Sequence, residues 1–256
     1  MPANIPNDIF AKNYIDLDAI RLYVRRVYIT SDLGPNYIPK WLQYMKVIVD
    51  ADDLPLNVGR DSLQANKSVK QIKRNLINKA IALLESYASS SDEDKQAKYA
   101  EFWKHGGSAL KLGAHEDSKL RPKLMKLLRY ESSFAESTSL SDYVSRRRVG
   151  QTQIYFAASA GGNAKELARS PFVERVLQRG YEVLWFLEPL DELLVGGVKE
   201  WDGLKFQDVA KKGLVFGDEG VSGVLVRLLA DSIAFAHAQM TKRRKKRNSL
   251  RRNSKL

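Results

Sequence analysis

Two strand-like segments joined by one helical segment limit the fold most tightly. Residues 153–158 and 182–187 are rich in β-branched and aromatic residues, and residues 163–179 between them have helical spacing. Strands joined by a helical crossover pair in parallel, so the pattern predicts a right-handed βαβ unit. A further helix at 190–195 and a short edge strand at 205–210 complete a small three-layer α/β unit.

Helical periodicity dominates the chain before residue 150. The strongest pattern runs from residue 61 to 87, where apolar residues recur at spacings of three and four and lysines and arginines occupy other positions. One of the later helices begins with Ser139-Leu-Ser-Asp142, which resembles a capping box with Asp in place of Glu. The further helices are predicted to end near Trp103 and to span residues 116–129 and 139–148.

The segment before these helices contains a strand pattern and a loop. Residues 20–29 alternate and are rich in β-branched residues, which predicts one strand. Pro39 is expected to open a helix that continues to about residue 49, and residues 50–60 form a loop with Pro and Gly.

The predicted fold class is therefore α/β, in three parts. Residues 1–150 form an α-rich α/β part, residues 151–219 form the small three-layer unit, and residues 220–256 contain an apolar helix and a basic tail.

The charge is concentrated at the C-terminus. The chain has 42 Lys and Arg against 30 Asp and Glu, a formal net charge of +12. Residues 241–256 carry nine basic residues and no acid, so the rest of the chain is only mildly basic. The tail is either solvated without a dedicated partner or binds nucleic acid, an import receptor or an anionic membrane surface. The binding candidates are Lys242, Arg243, Arg244, Lys245, Lys246 and Arg247.

Several other functions are disfavoured by composition and spacing. The absence of Cys excludes disulfides, thiol catalysis and thiolate metal sites. His105 and His115 lack the spacing of a zinc site, and Ser159–Gly162 lacks the residues of a phosphate loop. The apolar segment 220–240 includes Arg227, Asp231 and His237, so no transmembrane segment is predicted.

Arg60 is the strongest candidate for a functional residue. It ends the loop 54–60 immediately before the long predicted helix, and Gln64 lies about one turn further on. A guanidinium is planar, permanently charged and able to bind phosphate through two hydrogen bonds. From the spacing alone, however, a surface charge is favoured, because a lone Arg before a helix is usually one.

The order of several motifs resembles the middle domain of the heat shock protein 90 (Hsp90) chaperones, from about residue 5 to residue 219. The versions at 170–175 and 205–213 resemble the endoplasmic-reticulum branch of that family. The motifs that carry the resemblance lie at residues 22–29, 52–60, 112–117, 126–130, 138–143, 170–175 and 180–183.

The resemblance implies a role for Arg60. These chaperones are dimeric ATPases, and the Arg of the matching loop contacts the γ-phosphate of ATP held by another domain. Arg60 would be that residue, supported by Gln64, with Asn57 in the same motif; Gly59 stands where the family has Ser. ATP with Mg would be bound by the complete protein, whereas no cofactor is expected for this chain alone. The resemblance thus implies that the chain does not hydrolyse ATP by itself, because the ATP-binding domain is not part of it.

The resemblance also implies partners and a location. Expected partners are unfolded client proteins, ATPase-activating co-chaperones and an N-terminal ATPase domain supplied in trans. The expected location is the endoplasmic reticulum, with the cytoplasm as the alternative. Residues 220–256 do not align with the family, and residues 20–29 are expected to form an exposed edge strand. The alternative function is a non-enzymatic module whose tail binds nucleic acid weakly or binds an anionic surface.

Overall fold

The computed structural model describes residues 20–31, 37–52 and 67–217. Within these ranges the chain forms two β-sheets and seven α-helices. The strands are β1 (Ile20–Val24), β2 (Val27–Thr30), β3 (Val47–Asp50), β4 (Glu131–Ser132), β5 (Gln153–Ala158), β6 (Leu184–Phe186), β7 (Glu200–Trp201) and β8 (Leu204–Asp208). The helices are α1 (Lys67–Ala88), α2 (Glu93–Glu116), α3 (Arg121–Leu127), α4 (Leu140–Ser145), α5 (Ala164–Ala168), α6 (Pro171–Gln178) and α7 (Pro189–Gly197).

The first sheet has the strand order β2-β1-β3, so the single strand predicted at 20–29 is wrong. Arg25 and Arg26 have φ values of 49° and 67°, and they form a two-residue turn that makes a hairpin of β1 and β2. The turn carries no Asn or Gly, which explains why the sequence pattern continues through it. β1 also pairs in parallel with β3, so β1 is central within the described sheet, whereas β2 lies at its edge, as predicted for part of residues 20–29.

The helix predicted from Pro39 to residue 49 is also wrong. Only a short 3-10 helix forms at Lys40–Leu42, and β3 follows. Val47 and Val49 are half-buried and alternate with exposed Ile48 and Asp50, which is the two-residue period of a strand. A short apolar segment is compatible with either period, and pairing with β1 decides the outcome here.

The second sheet has the order β4-β6-β5-β8-β7. β5 pairs in parallel with β6, which confirms the parallel pairing predicted from the strand–helix–strand pattern. β8 was predicted to be an edge strand and is not one, because β7 pairs with its outer side in an antiparallel hairpin. Asp202 and Gly203, with φ values of 49° and 76°, form the turn of that hairpin.

The helices differ from the predictions mainly in length. α2 continues past Trp103 to Glu116, and the segment 163–179 divides into α5 and α6. Pro171 occupies the first position of α6, where its missing N–H leaves no hydrogen bond unmade. The capping box of α4 is confirmed: the Ser139 side chain accepts from the Asp142 N–H, and the Asp142 carboxylate accepts from the Ser139 N–H.

The larger hydrophobic core extends across both sheets. It joins residues of the first sheet, the long helices α1 and α2, and the second sheet as far as Leu204. A smaller core lies between β5, β6 and α6 and includes Tyr155, Val176 and Phe216. The boundary near residue 150 stays a prediction, and residues 218–256 lie outside the described residues.

No helix within the described ranges is long and apolar enough to cross a membrane.

Candidate functional site

The predicted phosphate-contacting loop lies between β3 and α1. Asn57, Arg60 and Gln64 are outside the described residues, as are Lys242–Arg247 of the tail. The structure describes the two stems from which the loop extends. The first stem ends at Asp52, and the second begins at Lys67.

The first stem is held by the β1–β2 turn. The Ala51 N–H donates to the Tyr23 carbonyl at 3.0 Å, which extends the pairing of β1 and β3 by one residue. The Arg26 N–H donates to Asp50 Oδ1 at 3.2 Å, and Arg25 Nε donates to the Asp52 carbonyl at 3.4 Å. The left-handed turn therefore holds the start of the loop through the Arg25 side chain and the Arg26 backbone N–H.

The second stem is the N-terminal turn of α1. Tyr37 Oη donates to the Val69 carbonyl at 3.3 Å and ties this turn to the segment before β3. Burial raises the pKa of the Tyr37 hydroxyl to about 12, so this donor stays protonated at neutral pH.

The helix that receives the loop is basic. Lys67, Lys70, Arg74 and Lys79 are exposed on α1, and the helix contains no Asp or Glu before Glu85. The partial positive charge of a helix N-terminus adds to these side chains. The end of the molecule that carries the loop is therefore suited to an anionic partner.

The motif at residues 112–117 is a packing element in this structure. Gly113 lies against the Trp41 ring, and a Cβ at this position would come within 2.6 Å of Trp41 Cγ. Asp117 Oδ1 accepts from the Lys119 and Leu120 N–H groups, and Arg121 donates to the Ala114 and His115 carbonyls. These contacts fix the corner between α2 and α3.

The motif at residues 126–130 is also a packing element. Arg129 donates to the Ala88 carbonyl at the end of α1 at 2.8 Å, and its guanidinium lies 4.9 Å from the centre of the Tyr99 ring. A groove of about 630 Å³ lies beside Arg129 and is bordered by Tyr87, Trp103 and Lys104.

A buried lysine at the junction of α2 and α7 was not predicted from the sequence. Lys111 Nζ lies 2.7 Å from Asp191 Oδ1 and 3.2 Å from Glu188 Oε1. The same ammonium lies 5.7 Å from the centre of the Trp103 ring and 5.3 Å from that of Tyr130. A lysine within a helical pattern is typical of a solvated face, and no local signal distinguishes Lys111.

Glu182 is a second buried charge. It lies within the motif at residues 180–183, but the sequence does not indicate its role. Arg146 donates to both of its carboxylate oxygens, from Nη2 at 2.7 Å and from Nε at 3.0 Å. Ser132 Oγ also donates to Glu182, at 2.6 Å. This pair joins α4 and β4 to the segment before β6.

Metal ligands are not assembled within the described part of the chain. No group of three His, Asp or Glu side chains there is placed to hold a metal ion. The Ser159–Gly162 turn is used for pairing, because the Gly161 N–H donates to the Leu187 carbonyl and the Gly162 N–H to the Ser159 carbonyl.

Three comparisons with known proteins agree. The family model described as Hsp90 protein matches residues 1–223. An endoplasmin homologue of Catharanthus roseus is 38% identical over 239 residues, which cover 86% of this chain and 29% of that protein. An endoplasmin homologue of Hordeum vulgare is 37% identical over 238 residues, with the same two coverages.

A solved structure matches the fold. The middle domain of a Plasmodium falciparum heat shock protein superposes with a TM-score of 0.66 at 27% identity, over 81% of this chain and 79% of that one. These matches identify the described part of the chain as a heat shock protein middle domain. The chain belongs to the Hsp90 family, which confirms the resemblance of its motifs. It spans about 29% of the length of the curated relatives it matches.

Proposed function

We propose that the chain acts as the middle segment of an Hsp90-type chaperone and that Arg60 contacts the γ-phosphate of ATP bound by another domain. Gln64 supports the contact, and Asn57 belongs to the same loop. A guanidinium at this point offsets the negative charge that develops as the phosphoryl group is transferred. ATP, with Mg, is held by the complete protein.

The observation that carries the proposal is the position of the loop in a family member. Its first stem is fixed by Arg25, Arg26 and Tyr23, and its second stem opens an α1 that has no acidic residue before Glu85. Defined stems limit where Arg60 can reach, and the basic helix lowers the energy of a nearby polyphosphate. The nucleic-acid function of the tail gains no comparable support.

The test adds the chain to an isolated N-terminal ATPase domain of the family and measures ATP hydrolysis. The wild-type chain is expected to raise the rate, and Arg60→Ala is expected to return it to that of the ATPase domain alone. Arg169→Ala is the matched control, because Arg169 is exposed and belongs to the α5–α6 connection rather than to the loop. Equal stimulation by wild type and Arg60→Ala would contradict the phosphate contact.

Client binding is proposed for the exposed face of the first sheet. Tyr28 and Ile48 are 52% and 74% exposed, and Tyr23 and Tyr28 contact each other edge-to-face across the hairpin. Exposed apolar side chains on a paired sheet suit the apolar segments of unfolded proteins. Tyr28→Lys/Ile48→Lys is expected to weaken suppression of the aggregation of a heat-unfolded client, whereas Lys98→Glu on α2 leaves it unchanged. Full suppression by the double variant would place client binding elsewhere.

The endoplasmic reticulum is the proposed compartment, on the basis of the endoplasmin homologues. Co-chaperones that activate the ATPase are the proposed partners of the basic α1. Fluorescence microscopy of the tagged protein tests the compartment, and a cytoplasmic signal would contradict it.

A further inference from the structure

Three arginines converge on one pair of aromatic rings, away from the Arg60 loop. Tyr181 and Phe216 stack with ring centres 5.6 Å apart and are only 4% and 1% exposed. The Arg148 guanidinium lies 5.6 Å from the centre of Tyr181, and those of Arg175 and Arg179 lie 5.3 and 4.0 Å from Phe216. We call Arg148, Arg175 and Arg179 the arginine cluster.

The arginine cluster concentrates like charge. Arg175 and Arg179 are four residues apart on α6 and its C-cap, so they are neighbours whose charges repel. Arg147 precedes Arg148 directly and is exposed. Arg148 and Arg175 form no ion pair with any residue that the structure describes. Of the acids that the structure describes nearby, Glu174 accepts from Gln178, and Glu182 accepts from Arg146 and Ser132.

The guanidinium groups are held in position before any partner arrives. Arg148 Nη1 donates to the Arg179 carbonyl, and a Cβ at Gly180 would collide with that same nitrogen. Contact with the buried Phe216 ring positions the guanidinium groups of Arg175 and Arg179. A planar guanidinium fixed in this way loses little conformational entropy when it binds a carboxylate through two hydrogen bonds.

Exposed apolar residues are close in sequence to the arginine cluster and its rings. Val149 follows Arg148 and is 99% exposed. Phe172 precedes Arg175 by three residues on the same face of α6 and is 56% exposed, and Val215 precedes Phe216 and is 46% exposed.

We infer that the arginine cluster is a docking site for an acidic segment of a partner protein that carries aliphatic side chains between its carboxylates. Charge complementarity favours carboxylates, and these exposed apolar residues favour a peptide over a nucleic acid. Tyr181 and Phe216 are buried beneath the arginines, so they are not available for base stacking. The basic tail of the chain itself would be repelled. The inference does not depend on Arg60.

The test measures binding of a fluorescein-labelled peptide of alternating Glu and Leu to the full chain by fluorescence anisotropy. Arg148→Glu/Arg175→Glu is expected to weaken binding by about tenfold or more, because charge-assisted hydrogen bonds are lost and repulsion is introduced. The matched control is Lys98→Glu/Lys126→Glu, which changes the net charge equally at two exposed sites. The control is expected to stay within about twofold of wild type, since its charges lie outside the cluster.

Two further measurements distinguish binding at the arginine cluster from nonspecific charge attraction and from misfolding of the variant. A peptide with Gln in place of Glu is expected to bind at least about tenfold more weakly. Arg148→Gln/Arg175→Gln, checked by circular dichroism, is expected to weaken binding without reversing the charge. Equal weakening by both Glu double variants, equal binding of the Gln peptide, or stronger competition by single-stranded DNA than by unlabelled Glu-Leu peptide would overturn the inference.

Discussion

Lys111 makes a buried ion pair that joins α2 to α7. The Lys111 and Asp191 side chains are 4% and 2% exposed, so neither charge is compensated by water if its partner is lost. Glu188, with 43% of its side chain exposed, is a weaker partner because solvent screens it. Removal of either charge would therefore leave the other buried without a counterion, whatever the net contribution of the pair to stability.

We expect Lys111→Met to lower the free energy of unfolding by about 3 kcal/mol or more, because it leaves Asp191 buried without its cation. Lys111→Met/Asp191→Leu is expected to regain most of that loss, since both charges are then removed. Urea denaturation of wild type, Lys111→Met, Asp191→Leu and the double variant completes the cycle. A double variant no more stable than Lys111→Met would show that Asp191 is not the group left uncompensated.

The pH dependence of stability provides an independent test of Asp191. Burial raises the pKa of this carboxyl above its ordinary 3.8, and the attraction of Lys111 offsets burial only in part. The folded state therefore keeps the proton to a higher pH than the unfolded state does. The stability contributed by Asp191 is present at low pH and is lost as the pH rises through the folded pKa.

Asp191→Asn has no titratable group at this position, so a comparison with wild type isolates the contribution of the Asp191 carboxyl. The unfolding free energy of wild type minus that of Asp191→Asn is expected to fall as the pH rises above about 4 and then to level off. Urea denaturation across this range measures the difference. A difference that instead grows with pH would mean that Lys111 lowers the pKa of Asp191.

Among the helices, two glycines differ in the space available for an added methyl group. Gly113 in α2 is packed against Trp41, so Gly113→Ala would place a methyl group within 2.6 Å of the ring. We expect this variant to lose about 1–3 kcal/mol of stability through overpacking. Gly196 in α7 has no atom within 4 Å of an added Cβ, and Gly196→Ala is expected to gain up to about 1 kcal/mol from helix propensity.

Thermal and urea denaturation of both alanine variants check the pair. Both substitutions add the same methyl group to a helical glycine, so both gain helix propensity. A difference in sign between their effects on stability therefore reports the space around each glycine. Stabilisation by Gly113→Ala would show that Trp41 moves freely.

Elements with one clear period could be predicted from the sequence. The parallel pairing of β5 and β6 and the capping box of α4 follow from local patterns. The hairpin at 20–30 and the strand β3 could not be predicted, because a turn of two arginines carries no turn signal and a short apolar segment fits both periods. Tertiary pairing decides such segments.

The candidate site depended on a different kind of information. The position of Arg60 before a predicted helix marks it as a candidate, but its phosphate contact follows only from the family resemblance. Lys111 and the arginine cluster could not be found in the sequence, since their partners are brought together only by the fold. Lys111 meets Asp191 across 80 residues, and Arg148 meets Tyr181 across 33.

The whole molecule is expected to unfold as one cooperative unit despite the predicted boundary near residue 150. The larger core includes Trp41 and Leu110 from before that boundary and Phe156 and Leu184 from after it. A shared core couples the loss of one part to the loss of the other. Four tryptophans make the coupling measurable, because Trp41 and Trp103 report on the first part and Trp185 and Trp201 on the second.

The experiment compares Trp185→Phe/Trp201→Phe with Trp41→Phe/Trp103→Phe, so that each variant reports fluorescence from one part alone. For each variant, urea transitions followed by fluorescence and by far-ultraviolet circular dichroism are expected to coincide in midpoint and slope. Coincidence in both variants means that the shared core unfolds as one unit. If fluorescence and circular dichroism separate in either variant, residue 150 divides two folding units and the shared core is too weak to join them.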